Sequence, residues 1–311
     1  MCGIAGIIHR TGKSRIGAEM TAMLQAMKHR GPDSTGVAVY GAPAENRIIM
    51  RLKLAEQEDL RRDFEARRAM QERRAQLDAK IAAAGAAIVS SEAATEYAFR
   101  YEVRVGGDLK RFCEHIEEVE GAEILSIGHA IELVKDLGDA AEVGRRYGLD
   151  RFVGTHAIGH VRMATESDVD ICSAHPFWAY PFKDVSIVHN GQLTNYWSRR
   201  RGLERRGHRF MSDCDSELIA VYLADKLDRG VSLEDAMKSS IDEFDGVFTY
   251  LVATSDSLGM AKDVMAAKPM VLYEGKDAVA MASEEVAIRT VFPMEIDTMD
   301  PYDGEVRVWK Q

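Results

Sequence analysis

MCGIAGII, residues 1–8, sets a cysteine directly behind the first methionine and then runs into small and β-branched residues. Cys2 to Ile8 reads as a buried strand, because a short apolar run with no polar alternation suits a strand covered on both faces. The side chain of Cys2 is small enough to permit removal of Met1. Removal would leave a thiol and a free α-amine on one residue. The amine ordinarily titrates at about 7.7–8.0 and the thiol at about 8.5, so the amine can serve as base for its own nucleophile near neutral pH. Alone, a cysteine at position 2 is most simply a small residue, and its neighbours in the fold decide what it is.

Outward from this strand, Ile16 to His29 has helical spacing with Met20, Met23, Leu24 and Met27 on one face, where methionine fills a core. Arg30-Gly31-Pro32-Asp33-Ser34-Thr35-Gly36 reads as a turn, followed by a strand from Val37 to Tyr40. The character changes between about residues 45 and 149. Ile48, Met50, Leu52 and Leu54 alternate like a half-buried strand, and Glu56 to Ala84 reads as a long, exposed, charge-paired helix. Tyr97 to Val105 alternates again, Asp108 to Val119 reads as a helix, and Glu123 to Ile131 and Asp136 to Tyr147 repeat strand then helix. This interval is expected to be an α/β insertion within a single domain spanning 1–311, either a docking surface, a cover for the site or a peripheral elaboration. Beyond residue 150, strand patterns at Gly154–Val161, Val185–His189, Phe248–Ala253 and Val271–Tyr273 mix with helical ones at Asp215–Leu227 and Leu233–Phe244. Mixed runs of this kind imply packed layers of sheet and helix, an α+β fold, rather than regular βαβ alternation.

Three later stretches bear on Cys2. His160-Val161-Arg162-Met163-Ala164-Thr165 ends a strand, where Arg162 can clamp a carboxylate with two parallel hydrogen bonds or make an ordinary surface ion pair. Val188-His189-Asn190-Gly191 runs from strand into turn. The Gly191 amide and the Asn190 side chain can supply two donors to a developing oxyanion, though Asn-Gly also marks a plain hairpin. Ser212-Asp213-Cys214-Asp215-Ser216-Glu217 opens a helix, and its acids suit either a helix cap or a substrate ammonium group. Thiol, amine base, oxyanion donors, carboxylate clamp and ammonium acceptor together fit attack on the side-chain amide of a free amino acid.

The order of MCGI at 1–4, RGPDS at 30–34, HVRMAT at 160–165, AHPF at 174–177, VHNG at 188–191 and SDCDSE at 212–217 resembles that of the class II glutamine amidotransferases. The resemblance covers residues 1–42 and about 150–290. It implies a four-layer αββα N-terminal-nucleophile hydrolase fold, with Cys2 as nucleophile and its α-amine as base. Asn190 and Gly191 would form the oxyanion hole, Arg162 would bind the carboxylate of L-glutamine and Asp215 its α-amine. Thr165 falls in a substrate-loop position, and Arg30 and Asp33 would brace the site. Met163 replaces an aromatic residue common in the family, and Glu166-Ser167 stands where a glycine is common. Both departures bear on the lid rather than on the chemistry.

THAIGHVRMATES at 155–167 and the lead-in Arg145-Arg146-Tyr147-Gly148-Leu149-Asp150 look most like the amidotransferase-like subunits of glutamate-synthase-like and N-methylglutamate synthase complexes. That likeness implies a hetero-oligomer in which a flavin- and iron–sulfur-bearing synthase subunit and a β-helical subunit are the partners, with no cofactor in this chain. No Gly-rich phosphate loop appears, so the ammonia acceptor is expected on another polypeptide. Two alternatives are a non-hydrolytic assembly or regulatory subunit, and an amidase for another small amide, which the Arg162 and Asp215 pair disfavours.

Composition sets the remaining bounds. The 311 residues are 46% apolar and 29% charged, ordinary for a globular chain with ample core, and the net charge of −10 argues against nucleic acid as a partner. Cys2, Cys113, Cys172 and Cys214 form no C-x-x-C pair, which argues against a zinc site or a disulfide framework and for a reducing compartment. No apolar stretch is long enough for a bilayer span and the N-terminal run is too short for a signal peptide, so a cytoplasmic location is expected.

Overall fold

Strand β1 (Gly3–His9) is buried on both faces, with Ile4 and Ile8 in one apolar cluster and Ala5 and Ile7 in another. Side chains alternate across a strand, so two clusters along one strand mean a layer on each side. The computed structural model describes residues 2–43, 47–56, 60, 64–163, 171–182 and 184–311. Helix α1 (Ile16–Ala26) places Met20, Met23 and Leu24 against the face that carries Ala5 and Ile7. Strand β2 (Ser34–Tyr40) repeats the split, Val37 and Val39 toward α1 and Ala38 and Tyr40 away from it. It begins three residues before the expected strand, because Ser34, Thr35 and Gly36 already pair with β-partners on either side.

Next come β3 (Ile48–Lys53), α2 (Phe64–Ala83), β4 (Ala87–Ala93), β5 (Ala98–Arg104), α3 (Leu109–Glu117) and β6 (Glu123–Gly128). They form their own antiparallel sheet in the order β4-β5-β3-β6. A β-α-β-β-α-β chain with this strand order is the split βαβ, or ferredoxin-like, arrangement. Part of the charge-rich helix expected at 56–84 falls on residues 57–59 and 61–63, outside the described residues. The described part is not wholly solvated, since Leu77 and Ile81 are fully buried.

Strand β7 (Ile131–Leu137) and helix α4 (Ala140–Tyr147) leave this module. β7 pairs with β2, and α4 packs on the same cluster as α1. The expected insertion at 45–149 is thus smaller, with its last elements belonging to the main body. The chain continues through β8 (His156–Arg162), β9 (Phe177–Trp178), β10 (Ser186–Leu193), α5 (Tyr196–Arg205), α6 (Asp215–Asp228), α7 (Leu233–Glu243), β11 (Gly246–Ala253) and β12 (Ser257–Lys262). It ends with β13 (Val271–Glu274), β14 (Ala278–Ala282), α8 (Glu285–Arg289), β15 (Thr298–Met299) and β16 (Val306–Lys310).

A seven-stranded sheet, β15-β13-β14-β1-β8-β2-β7, faces a five-stranded one, β16-β12-β11-β10-β9. Ile4, Ile8, Ala38, Tyr40 and Ile158 of the first meet Val188, Leu251, Leu258 and Met260 of the second in one core. The outer face of the second sheet, through Ile187, Tyr250, Val252 and Ala261, packs on α6 and α7. Helix, sheet, sheet and helix give the αββα layers of an N-terminal-nucleophile hydrolase. No helix among the described residues is long and apolar enough to cross a membrane.

Polar contacts weld the module to this body. Glu132 on β7 accepts from Arg51 and Arg100, at 2.7 to 3.1 Å. Asp136, fully buried on β7, accepts from Tyr97, from Tyr147 at 3.1 Å and from Arg146 at 2.8 Å. These are the Arg and Tyr of the Arg145–Asp150 stretch, which therefore braces the junction. Buried Asp184 accepts three backbone N–H bonds, from His129, Ala130 and Ile131, where the chain re-enters the main sheet.

Candidate active site

Pairing of Gly3 with Val161 and of Ser34 with Arg162 puts the start of β1, the end of β8 and the start of β2 at one edge of the sandwich. Cys2 sits there, half-buried. Its Sγ accepts the Met163 N–H at 3.4 Å and lies 3.7 Å from the Met163 carbonyl. The Cys2 carbonyl accepts two bonds of 3.1 Å, from Arg30 Nε and from Asn190 Nδ2. One donor comes from the turn before β2 and the other from the opposite sheet, so the nucleophile is held from both layers.

Arg30 is itself anchored by Glu284, 2.5 Å from its guanidinium. Partial burial tends to raise the Glu284 carboxyl, but Arg30 and His29 outweigh it and hold the group below its ordinary value. Ser283 beside it closes β1 from the far side, donating its N–H to the Ile4 carbonyl at 2.9 Å and accepting the Ile4 N–H at 3.0 Å. Nothing in the local sequence marks Ser283 or Glu284, because their partners lie at the other end of the chain.

The Arg30–Ser34 turn lies directly on β8. Asp33 N–H donates to the Arg162 carbonyl at 3.1 Å, and a Cβ on Gly31 would stand 2.5 Å from the Arg162 carbonyl carbon. Arg162 is buried at the strand end, three residues short of Thr165, which lies outside the described residues. Asn190 and Gly191 occupy β10 opposite Thr249 and Phe248, so Asn-Gly here continues a strand rather than making a hairpin turn. Gly191 has φ +144°, and a Cβ would meet the Val247 carbonyl oxygen at 2.0 Å, which leaves room for glycine alone.

Asp215 opens α6. Its Oδ2 accepts the Leu193 N–H at 3.0 Å, and its Oδ1 stands 3.5 Å from His189 Nδ1. Burial would raise its carboxyl, but His189 and the Leu193 N–H prevail and hold it below the ordinary carboxylate value. A charged carboxylate is thus kept at the site edge, where an ammonium group could pair with it. The structure therefore sets Cys2 against Asn190, next to Gly191 on β10, with Arg162 at the end of β8 and Asp215 bonded from the helix start to Leu193 at the end of β10. Sequence reasoning passed over the histidines of three of its own motifs, His160, His175 and His189, which pack beneath these residues. Among the described residues no group of three or more His, Cys, Asp or Glu side chains is placed to hold a metal ion.

A family model described as a glutamine amidotransferase domain matches residues 160–290. A candidate glutamine amidotransferase of Methanothermobacter thermautotrophicus is 40% identical over 314 residues, covering 100% of both chains. The glutamine amidotransferase-like protein GlxB of Rhizobium meliloti is 33% identical over 321 residues, covering 99% of this chain and 98% of that one. Among solved structures, the glutamine phosphoribosylpyrophosphate amidotransferase of B. subtilis superposes with a TM-score of 0.61 at 18% identity. That likeness is one of fold, and covers 99% of this chain and 47% of the longer enzyme.

Proposed function

Because the chain belongs to the class II glutamine amidotransferases, we propose that it works as the glutaminase subunit of a larger complex, with Cys2 as nucleophile. The observation that carries this reading is the double anchoring of the Cys2 carbonyl by Arg30 and Asn190, which holds the nucleophile beside β10, the strand of Asn190 and Gly191.

With Met1 removed, the Cys2 α-amine takes the thiol proton, and the sulfur forms a bond to the side-chain amide carbon of L-glutamine. The carbonyl electron pair moves onto oxygen. Asn190 Nδ2 has two hydrogens and spends one on the Cys2 carbonyl, so the second is available to that oxyanion together with the Gly191 N–H. Collapse of the adduct breaks the carbon–nitrogen bond, and the proton held by the α-amine leaves with ammonia. Water then cleaves the thioester to glutamate, with the amine again as base. Arg162 takes the substrate carboxylate, Asp215 its ammonium group, and Thr165 a place in the substrate loop.

The ammonia passes to a partner of the glutamate-synthase-like or N-methylglutamate-synthase-like kind, whose flavin and iron–sulfur cluster would reside on that subunit. The likeness of 155–167 and 145–150 to amidotransferase-like subunits supports this choice of partner. Glutamate release from L-glutamine is expected from the assembled protein and should be abolished in Cys2→Ala. Mass spectrometry should find Cys2 at the N-terminus. Retained Met1, or equal glutamate release by Cys2→Ala, sinks the reading.

A further inference from the structure

Three motif histidines, His160, His175 and His189, have no part in the chemistry above, yet the fold stacks them under it. All three are at least nine-tenths buried. The rings of His160 and His175 lie face to face, 4.1 Å between centroids. Ser216, in the first turn of α6, reaches two of the three: its Oγ is 2.7 Å from His175 Nε2 and 3.0 Å from His189 Nδ1. It also lies 3.4 Å from Asp215 Oδ1.

Counting hydrogens orders this cluster. A serine hydroxyl has one hydrogen and two lone pairs, and here it faces three partners, His175 Nε2, His189 Nδ1 and Asp215 Oδ1. His189 Nδ1 also faces Asp215 Oδ1 at 3.5 Å, and a carboxylate oxygen favours an N–H there, not a lone pair. His189 therefore carries its hydrogen on Nδ1, Ser216 accepts it, and the single hydroxyl hydrogen is left to be shared between His175 Nε2 at 2.7 Å and Asp215 Oδ1 at 3.4 Å. Burial keeps the layer below uncharged, with His160 held down to about 3 despite its bond with Asn190 and His175 well below its ordinary value. His189 Nε2, with no partner among the described residues, abuts Gly191, where an added Cβ would lie 2.9 Å away. One ring thus touches both the oxyanion strand and the acid at the start of α6.

We propose that Ser216 is a positioning residue which, by tying the His189 ring and the Asp215 carboxylate to buried His175, aims Asp215 at the substrate α-amine and sets the preference for an α-amino acid over the same amide without its amine. This rests on the reading of Cys2 as glutaminase nucleophile and of Asp215 as amine binder.

The test compares kcat/KM for L-glutamine and for 4-carbamoylbutanoate, which is glutamine without its α-amine, in the assembled protein. Wild type should favour glutamine strongly. Ser216→Ala should reduce that preference about tenfold, mainly by raising KM for glutamine, and Ser216→Thr, which restores the hydroxyl, should recover it. Should Ser216→Ala fail to fold, as judged by its melting curve, His175→Leu replaces it and should show the same loss of preference. Equal losses on both amides would make Ser216 a mere support of the fold and overturn the proposal, as would an unaltered preference. A wild type with no preference would overturn it through the Asp215 assignment. A wild type that hydrolyses neither amide would overturn it through the glutaminase reading.

Discussion

Gly31→Ala is a one-methyl change whose effect can be worked from the contact between the Arg30–Ser34 turn and β8. The added Cβ would stand 2.5 Å from the Arg162 carbonyl carbon and 2.6 Å from the Arg162 nitrogen. Carbon atoms rest at about 3.5–4.0 Å, so turn and strand must part by roughly 1 Å. Both neighbours are backbone, and no rotamer change can absorb the shift. A parting of that size would stretch the 3.1 Å bond from Arg30 Nε to the Cys2 carbonyl beyond hydrogen-bonding range. A bond to a charged group contributes about 1.5–3 kcal/mol, so loss of its alignment should lower kcat/KM for glutamine by about 10- to 150-fold. Overpacking itself costs about 1–3 kcal/mol, a fall in Tm of several degrees at roughly 2–4 °C per kcal/mol. Glutamate release and a thermal melt, run beside Arg30→Ala, measure both. A Gly31→Ala protein with wild-type Tm and kcat/KM within about threefold would refute the close approach and the bracing role of Arg30.

Asn190→Ala should lower kcat by about 10²–10³-fold with a smaller change in KM, since an oxyanion donor acts mainly in the transition state; steady-state kinetics check the split. Asp184→Ala strands the N–H groups of His129, Ala130 and Ile131, at about 1–3 kcal/mol for each group left unpaired. A lowered Tm and faster hydrogen exchange at those three amides are expected. Burial holds His160 at about 3, below its ordinary 6.5, so the unfolded chain takes up its proton first as pH falls. The stability tied to neutral His160 is fully present above pH 6.5 and is lost as pH drops toward 3, amounting to about 3 kcal/mol by pH 4. Denaturant midpoints between pH 7 and 4 should show a shallower decline in His160→Gln than in wild type.

How far this molecule could be read from its residues depended on whether a signal was local. Cys2 to Ile8 announces its strand because a run buried on both faces has no polar alternation, and HVRMAT, VHNG and SDCDSE mark their places by residue type. The same rule concealed Ala278–Ala282: AVAMA, buried on both faces, carries no period that separates strand from helix. β7 and α4 were assigned to the insertion because they follow it in sequence, whereas membership is settled by pairing, Tyr40 with Ile131 across the whole module. Glu284 escaped notice because its partner Arg30 is 254 positions away. Histidines inside the quoted motifs were visible but unassigned, since what they do depends on Ser216, which only the fold brings between them.

The pairing of Tyr40 with Ile131, with Gly41 N–H bonded to the Ala130 carbonyl at 3.0 Å, means that the ferredoxin-like module departs and returns through adjoining rungs of one ladder. Topologically it is a hairpin turn grown into a domain. A folded cassette whose ends already lie side by side imposes little closure entropy on its host, and even a flexible loop costs only about 0.6 kcal/mol for each doubling of length. Such a cassette can be exchanged, enlarged or pared to a tight turn without shifting the register of β2 or β8, and so without moving Cys2. The size and sequence of the module can therefore change independently of the strands that hold Cys2.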